Sequence, residues 1–272
     1  MFLRISSLLL LCAITVDSAN YLLYNPMFGR SHTTFLGSLA DVLVEGGHNV
    51  TIIGPVVDST LGTYGTKKQI IVVPQAPLVK EKMNDLLDMM HEVWRNQGAM
   101  QFLKLFSTLG EVMLDQCNAT LKDEKMWEEL RKQKFDVGFG EGLDMCGFII
   151  FHKLGMKKTA LALSVASMEG SFAITGNPSF PSYVPGAAAS TIDVMSFTER
   201  TFNTIGVLIA KRVMPSIIEP FRGLAVTHFG EERFPSMMVI RRIQTGVVLE
   251  KEQLKDGIAL EAALREVLRN EK

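Results

Sequence analysis

Apolar positions in the first third of the chain follow two different spacings. The run from Ala19 to Tyr24 is short and continuous, as in a buried strand, whereas the apolar residues between 35 and 43 recur every three or four positions, as in a helix. Gly46 and Gly47 end this helix, and a second apolar run from Val50 to Ile53 follows. A strand, a helix and a strand with short connections predict a right-handed crossover between parallel strands.

Three further apolar runs extend the same pattern. The runs from Gln69 to Val73, from Phe135 to Phe139 and from Thr159 to Leu163 each have the length of a buried strand. Residues 80–130 and 146–154 instead show helical spacing. Strands that alternate with helices in this way predict a doubly wound α/β fold with a parallel sheet over residues 19–165.

The sequence changes in character beyond residue 165. Residues 170–190 are rich in glycine, proline and small side chains, so we expect a long loop there. A functional loop and a loose linker both remain open for this segment. Residues 192–226 again show helical spacing, and residues 252–270 predict a short helix with a polar face.

The first 18 residues have the composition of a secretory signal peptide. Arg4 supplies a positive charge, residues 5–16 are apolar, and residues 16–18 are tolerated at a cleavage position. A membrane anchor is the alternative, but the apolar run is shorter than the roughly 20 residues that a span needs. No later segment has the length and apolarity of a span. We therefore expect a mature chain that starts at residue 19, in the secretory lumen or outside the cell.

Composition and charge exclude several classes of function. The 272 residues are 47% hydrophobic, which is enough for a packed core. The 28 basic and 29 acidic residues give a net charge of -1 without a long block of one sign, so we expect no nucleic-acid partner. Metallopeptidase, hydrolase-elbow and P-loop motifs do not occur, so we expect no bound metal and no resident cofactor.

Two cysteines remain once Cys12 leaves with the signal peptide. Cys117 and Cys146 could pair in an oxidising compartment, but both lie in apolar, helix-like surroundings. The sequence does not give the distance between their Cα atoms, which decides whether a disulfide can form. We expect the two thiols to stay unpaired, with a disulfide as the alternative.

Two asparagines match the acceptor pattern for N-glycosylation. Asn49 and Asn118 each lie two residues before a threonine, with no proline between them. Because Asn49 begins an apolar strand pattern, we expect it to be hidden. Asn118 is therefore the better candidate.

One histidine lies where a parallel sheet would present a reactive group. In an open sheet of this kind ligands bind outside the carboxyl ends of the strands, and the loop from Asn25 to Ser31 leaves such an end. His32 follows in the first turn of the next helix, where the positive end of the helix dipole disfavours a protonated ring. A neutral imidazole in this position can act as a general base.

A base of this kind needs an acidic partner to orient it. The loop after the fourth predicted strand, residues 140–144, emerges at the same edge of the sheet and carries Glu141 and Asp144. Either carboxylate could fill this role, and a surface or capping role for His32 is the alternative. We expect the remaining histidines to be structural or solvated; they are His48, His91, His152 and His228.

Several short stretches stand out by the order in which they occur. They are Asn25-Pro26-Met27-Phe28-Gly29-Arg30-Ser31-His32, Phe35, Gly46-Gly47-His48-Asn49-Val50-Thr51, Phe135-Asp136-Val137, Cys146-Gly147, Pro181-Ser182-Tyr183-Val184-Pro185 and Met195-Ser196-Phe197-Thr198-Glu199-Arg200. In this order they resemble the UDP-glycosyltransferases of the glucuronosyltransferase type, in a form similar to those of nematodes. The resemblance covers residues 19–235.

The resemblance implies one half of a GT-B fold, which has two Rossmann-like domains. The amino-terminal domain binds a small lipophilic acceptor, and the second domain binds a UDP-sugar as co-substrate. His32 matches the family's base, which removes the proton of the acceptor hydroxyl as that oxygen attacks the anomeric carbon, with inversion. The family usually has Asp as the partner; the matching position is Glu141, and Asp144 is the second candidate. The residues before the base are implied to bind substrate: Phe28, Gly29, Arg30 and Ser31.

The same family carries a nucleotide-binding signature in its second domain, followed by a membrane helix and a basic tail. Its Trp-x-Pro-Gln start and its His-Gly-Gly core do not occur in the 272 residues. Residues 236–272 are similar to the segment beyond that signature. We therefore expect an acceptor-binding domain at 19–235 joined to a remnant of the donor domain at 236–272.

Two functions follow from the resemblance. The family function is the transfer of glucuronic acid or glucose from a UDP-sugar to a lipophilic hydroxyl compound. The alternative is a catalytically inactive form that binds an acceptor or a partner protein. The resemblance also implies the lumen of the endoplasmic reticulum, or secretion without the membrane anchor, and homo- or hetero-oligomers with family members.

Overall fold

The computed structural model describes residues 18–62, 64–95, 99–165, 179–186, 191, 194–230 and 262. Its five strands are β1 (Asn20–Tyr24), β2 (Asn49–Pro55), β3 (Ile70–Val73), β4 (Val137–Glu141) and β5 (Thr159–Ala162). All neighbouring strands are parallel, in the order β3-β2-β1-β4-β5. The chain runs outward from β1 to one edge and then returns to continue at β4. The predicted doubly wound sheet is thus confirmed.

Six helices accompany the sheet in the described part of the chain. They are α1 (Arg30–Glu45), α2 (Pro77–Arg95), α3 (Ala99–Leu121), α4 (Glu124–Arg131), α5 (Cys146–Lys153) and α6 (Phe197–Phe229). The helical pattern of residues 80–130 is thus divided among three helices. The last of these begins where the Asp123 carboxylate accepts a hydrogen bond from the backbone N–H of Met126.

The central strand β1 separates two hydrophobic clusters. Tyr21 and Leu23 pack on one face with residues of α1, whereas Leu22 and Tyr24 pack on the other face with residues of α2 to α6. This division follows from the alternation of side chains along a strand. Because both faces of β1 are covered, the continuous apolar run of the sequence is explained.

The helix α6 starts later than its apolar spacing predicts. The Ser196 hydroxyl accepts from the Glu199 backbone N–H while the Glu199 carboxylate accepts from the Ser196 N–H, which forms a capping box. The helix therefore begins at Phe197 rather than at 192, and it continues past Val226 to Phe229. Most of the predicted 170–190 loop, nearly all of the signal peptide and all but residue 262 of the predicted 252–270 helix lie outside the described residues.

Cys117 and Cys146 form a disulfide, so the expectation of two unpaired thiols was wrong. Their Cα atoms lie 5.5 Å apart, within the range that a disulfide requires. The bond joins α3 to the first residue of α5, and both cysteines are completely buried. Apolar helical surroundings did not argue against pairing, because the two helices pack side by side.

Two further properties of the described helices are their length relative to a bilayer and the exposure of apolar side chains. None of them combines the length with the apolar character needed to cross a bilayer. The first half of α6 nevertheless exposes large apolar side chains, with Phe197 at 84%, Phe202 at 70% and Leu208 at 61% of full exposure.

Candidate active site

His32 is the third residue of α1, and the turn that precedes it is fixed by hydrogen bonds. The backbone N–H of Thr33 donates to the Gly29 carbonyl at 3.0 Å, and the buried Asn25 amide donates to the Thr33 carbonyl at 3.1 Å. The His32 side chain is 13% exposed, and its ring lies 4.4 Å from the ring of Phe28 between centroids. The ring is therefore held at the carboxyl end of β1 with limited access to solvent.

Glu141 lies beside His32, as one of the two sequence alternatives expected. It is the last residue of β4, the strand next to β1, and it is completely buried. Its Oε2 lies 3.0 Å from Nδ1 of His32, and its Oε1 accepts a hydrogen bond of 3.0 Å from the backbone N–H of Gly142. With Glu141 ionised its carboxylate can only accept, so Nδ1 would be the donor in this contact and a neutral ring would keep the lone pair of Nε2.

Asp144, the other candidate, serves a different part of the structure. Its Oδ1 accepts a hydrogen bond of 2.8 Å from the backbone N–H of Cys146 at the start of α5. Burial raises the pKa of Asp144 to about 7, and the charge of Glu141 adds to the rise, while the Cys146 N–H and the Tyr24 hydroxyl oppose it. Of the two carboxylates, Glu141 is the one that contacts His32.

Ser164 is a member of the site that the sequence reasoning missed. It follows β5 by two residues, and its Oγ donates to Oε2 of Glu141 at 2.9 Å and also contacts Nδ1 of His32. The rule that selected residues 140–144 also points to the residues after β5 once β5 is known to lie next to β4 and to end at the same edge. A serine in an apolar run lacks the obvious acid–base signal of a carboxylate or an imidazole.

The four residues predicted to bind substrate surround the base but differ in exposure. Phe28 is buried and packs against the imidazole. Gly29 is half-buried, and a Cβ there would lie 3.3 Å from Cδ2 of His32. Arg30 and Ser31 are exposed on the first turn of α1. The structure thus gives Phe28 a supporting contact with the base and leaves two polar side chains accessible beside it.

Two of the remaining histidines have structural contacts, as expected. His48 is buried and its Nδ1 accepts a hydrogen bond from the Ala19 backbone N–H at 3.3 Å. His228 lies 3.0 Å from the side-chain oxygen of Asn118, and burial together with the charge of Lys122 lowers its pKa. Among the described residues, no group of three or more histidine, cysteine and acidic side chains is arranged to hold a metal ion.

The exposure of the two glycosylation candidates differs from the expectation. Asn49 is exposed at the first position of β2, so the prediction that it is hidden was wrong. The apolar pattern begins at the next residue, and Asn49 itself lies at the solvent end of the strand. Asn118 is half-buried within α3 and is engaged by His228.

Comparison with known proteins identifies the family of this chain. Residues 21–242, more than half of the chain, match the family described as "UDP-glucoronosyl and UDP-glucosyl transferase". The chain belongs to this UDP-glycosyltransferase family. The family membership agrees with the resemblance seen in the sequence and with the predicted parallel sheet.

Curated relatives of this UDP-glycosyltransferase chain come from nematodes and mammals. UDP-glucuronosyltransferase ugt-47 of Caenorhabditis elegans is 30% identical over 68% of this chain and 34% of its own length. Its Caenorhabditis briggsae counterpart is 26% identical over 93% of this chain and 47% of its own length. The rat UDP-glucuronosyltransferase 1A7 is 27% identical over 80% of this chain and 41% of its own length. The chain thus spans less than half the length of these relatives.

Two solved structures also match this UDP-glycosyltransferase chain. The glycotransferase of kitacinnamycin has a TM-score of 0.38 and 13% identity, and covers 80% of this chain and 44% of its own. The structure of TcCGT1 in complex with UDP has a TM-score of 0.31 and 13% identity, with 58% and 31% covered. The family assignment rests on the sequence match rather than on these likenesses.

Proposed function

We propose that this chain supplies the acceptor side and the general base of a sugar transfer from a UDP-sugar to the hydroxyl of a small lipophilic compound. One observation carries the proposal: Nδ1 of His32 lies 3.0 Å from the buried carboxylate of Glu141 at the carboxyl edge of a doubly wound sheet. The relatives ugt-47 and UDP-glucuronosyltransferase 1A7 are both named for the transfer of a glucuronosyl group.

The chemistry follows from the tautomer that the pair favours. With its Nδ1–H donating to the Glu141 carboxylate, His32 can take the proton of the acceptor's hydroxyl at Nε2 as the oxygen forms its bond to the anomeric carbon. The bond between that carbon and the UDP oxygen breaks on the opposite face, so the configuration inverts. The carboxylate then stabilises the imidazolium, and its buried position strengthens the interaction because the surroundings screen it less than water does.

The glutamate at position 141 is compatible with this role. The resemblance implied an aspartate, and the longer side chain could have left the imidazole misaligned. Instead, the Gly142 backbone N–H holds Oε1 at 3.0 Å while Oε2 reaches the ring. The extra methylene therefore does not prevent a direct contact between carboxylate and base.

We further propose that the UDP-sugar is bound by residues other than these 272. The 272 residues contain neither the Trp-x-Pro-Gln start nor the His-Gly-Gly core of the family's donor signature. Residues 19–235 then form the acceptor domain and 236–272 a remnant of the donor domain. A single acceptor domain cannot place donor and acceptor together, so the 272-residue chain alone binds the acceptor without turnover. This is the catalytically inactive alternative, and the missing motifs favour it for the isolated chain.

The proposed location is the secretory pathway, either the lumen of the endoplasmic reticulum or the exterior of the cell. The disulfide between Cys117 and Cys146 supports an oxidising compartment. Association with a relative that carries the donor signature is the proposed route by which a donor site is supplied, since a second copy of the 272 residues would lack that signature too.

The test compares the chain alone with a fusion that adds the carboxyl-terminal half of ugt-47. Transfer to 1-naphthol is measured with UDP-glucose and with UDP-glucuronate, and naphthol binding is measured by fluorescence. We expect His32→Ala to lower kcat of the fusion about 10²–10⁴-fold while naphthol binding is kept. His91→Ala is the matched control, because His91 is exposed on α2.

Two results would contradict the proposal. If the fusion still transfers sugar after His32→Ala, His32 is not the general base and the proposal fails. Turnover of a UDP-sugar by the 272-residue chain alone, lost on His32→Ala, would refute the proposal that the donor is bound elsewhere.

A further inference from the structure

We infer that Ser164 is a positioning residue for the base, acting on His32 through Glu141. This inference rests on the proposed function for its kinetic consequence, but its structural part can be measured independently. The three polar atoms involved are Oγ of Ser164, Oε2 of Glu141 and Nδ1 of His32, and each lies within hydrogen-bond reach of the other two.

The first step is a count of the hydrogens in this triangle. Oε2 of an ionised carboxylate is only an acceptor, whereas the serine hydroxyl brings one hydrogen and two acceptor lone pairs. When Nδ1 of His32 is protonated, two hydrogens are present, and Ser164 donates to Oε2 while Nδ1 donates to Oε2 and Oγ. Every polar atom then has a partner.

The opposite tautomer leaves the triangle one hydrogen short. With the hydrogen on Nε2, the Nδ1 lone pair faces both the carboxylate oxygen and the serine. The single hydroxyl hydrogen can satisfy Oε2 or Nδ1, but not both, and Glu141 is completely buried. A buried acceptor without a donor is costly, so the arrangement selects the tautomer that leaves Nε2 free to accept a proton.

Ser164 also fixes the orientation of the carboxylate. The terminal torsion of a glutamate is soft, so its two oxygens are not placed by rotamer preference alone. The Gly142 N–H holds Oε1 at 3.0 Å and the Ser164 hydroxyl holds Oε2 at 2.9 Å. Without the serine, one oxygen is fixed and Oε2 can rotate away from the imidazole.

The direct test reads the tautomer of His32 by ¹⁵N NMR on the full 272-residue chain, labelled at histidine and assigned with His32→Gln. In the unsubstituted chain we expect the tautomer with the hydrogen on Nδ1 to dominate. Because Oε2 can rotate away from the ring once the serine hydroxyl is gone, Ser164→Ala is expected to raise the ratio of the other tautomer about fivefold to tenfold, the value of the lost hydrogen bond from Nδ1 to Oε2. Ser164→Thr keeps the hydroxyl and is expected to restore the original ratio.

The kinetic arm uses the transfer assay of the fusion. Ser164→Ala is expected to lower kcat about tenfold with little change in KM for the acceptor, because the serine acts on the base and not on substrate binding. Ser38→Ala is the matched control, since Ser38 is exposed on the same helix as His32. Thermal melts of each variant separate loss of the contact from loss of the fold.

The outcomes divide clearly. An unchanged tautomer ratio and kcat in Ser164→Ala would overturn the inference, as would a folded Ser164→Thr that restores neither readout. If Ser164→Ala changes the tautomer ratio while His32→Ala leaves transfer intact, the positioning contact is supported and the proposed function fails.

Discussion

The disulfide between Cys117 and Cys146 is expected to be a main source of stability in this domain. It closes a loop with a sequence separation of 29 residues. In the chain-entropy description a loop of this length restricts the unfolded state by about 3.5 kcal/mol. Breaking the bond should therefore remove a large part of the 5–15 kcal/mol by which ordinary domains are stable.

The measurement is a urea titration of the oxidised chain and of the same chain kept reduced, followed by far-ultraviolet circular dichroism. With a slope of roughly 2–3 kcal/mol per molar urea, the midpoint should fall by about 1–2 M on reduction. Reduction changes no other side chain, so it is cleaner than substitution. The double variant Cys117→Ala/Cys146→Ala should fall at least as far, because both sulfurs are buried and their removal adds cavities.

A difference below about 1 kcal/mol between the oxidised and reduced chains would refute the loop-entropy reasoning. It would mean that the unfolded chain already keeps α3 and α5 close together, so that the bond restricts little. The control is that the unfolding free energy falls with urea concentration at the same slope in both titrations. A different slope would show that the unfolded states differ in exposed surface.

Three further predictions concern packing, pH and modification. Gly147→Ala should destabilise the fold by about 1–3 kcal/mol in urea titrations, because the new Cβ would lie 2.6 Å from Cβ of Tyr24. The control Gly223→Ala meets no atom within 4 Å and should stabilise α6 by about 0.5–1 kcal/mol. Equal effects of the two substitutions on the unfolding free energy would contradict this. The pKa of Asp144 is raised from 3.8 to about 7, so its contribution to stability is full below about pH 4 and is lost as the pH rises towards 7. Asp144→Asn should therefore flatten the decline in unfolding free energy between pH 5 and 8; an unchanged decline would count against the shift. In secreted protein, glycopeptide mass spectrometry should find a glycan on Asn49, which is exposed, and not on Asn118, which is half-buried against His228; the reverse occupancy would refute the ranking.

The sheet could be predicted because its signal is local. A continuous apolar run followed by helical spacing needs no knowledge of distant residues, and the crossover rule then predicts that the strands are parallel. The same rule placed His32 and the 140–144 loop at one edge. It did not choose between Glu141 and Asp144, because that choice depends on which side chain turns towards α1 and which towards α5.

The features that the sequence did not supply are those that depend on the third dimension. The disulfide requires the distance between α3 and α5, and the exposure of Asn49 requires the position of one residue relative to the end of β2. Ser164 is 132 residues from His32 along the chain, and a serine has too many ordinary roles to stand out. Pairwise contacts of this kind become visible only once neighbouring strands are in register.

The site draws its three members from parts of the sheet that differ in resistance to opening. His32 follows β1 and Glu141 is the last residue of β4, and both strands are almost entirely buried. Ser164 follows β5, which lies at the edge of the described sheet and is only half-buried. Edge strands exchange their amide hydrogens sooner than central strands do, since fewer contacts hold them. On warming, β5 would fray first and Ser164 would leave the site. The contact between His32 and Glu141 would then persist without the serine at temperatures well below the melting temperature.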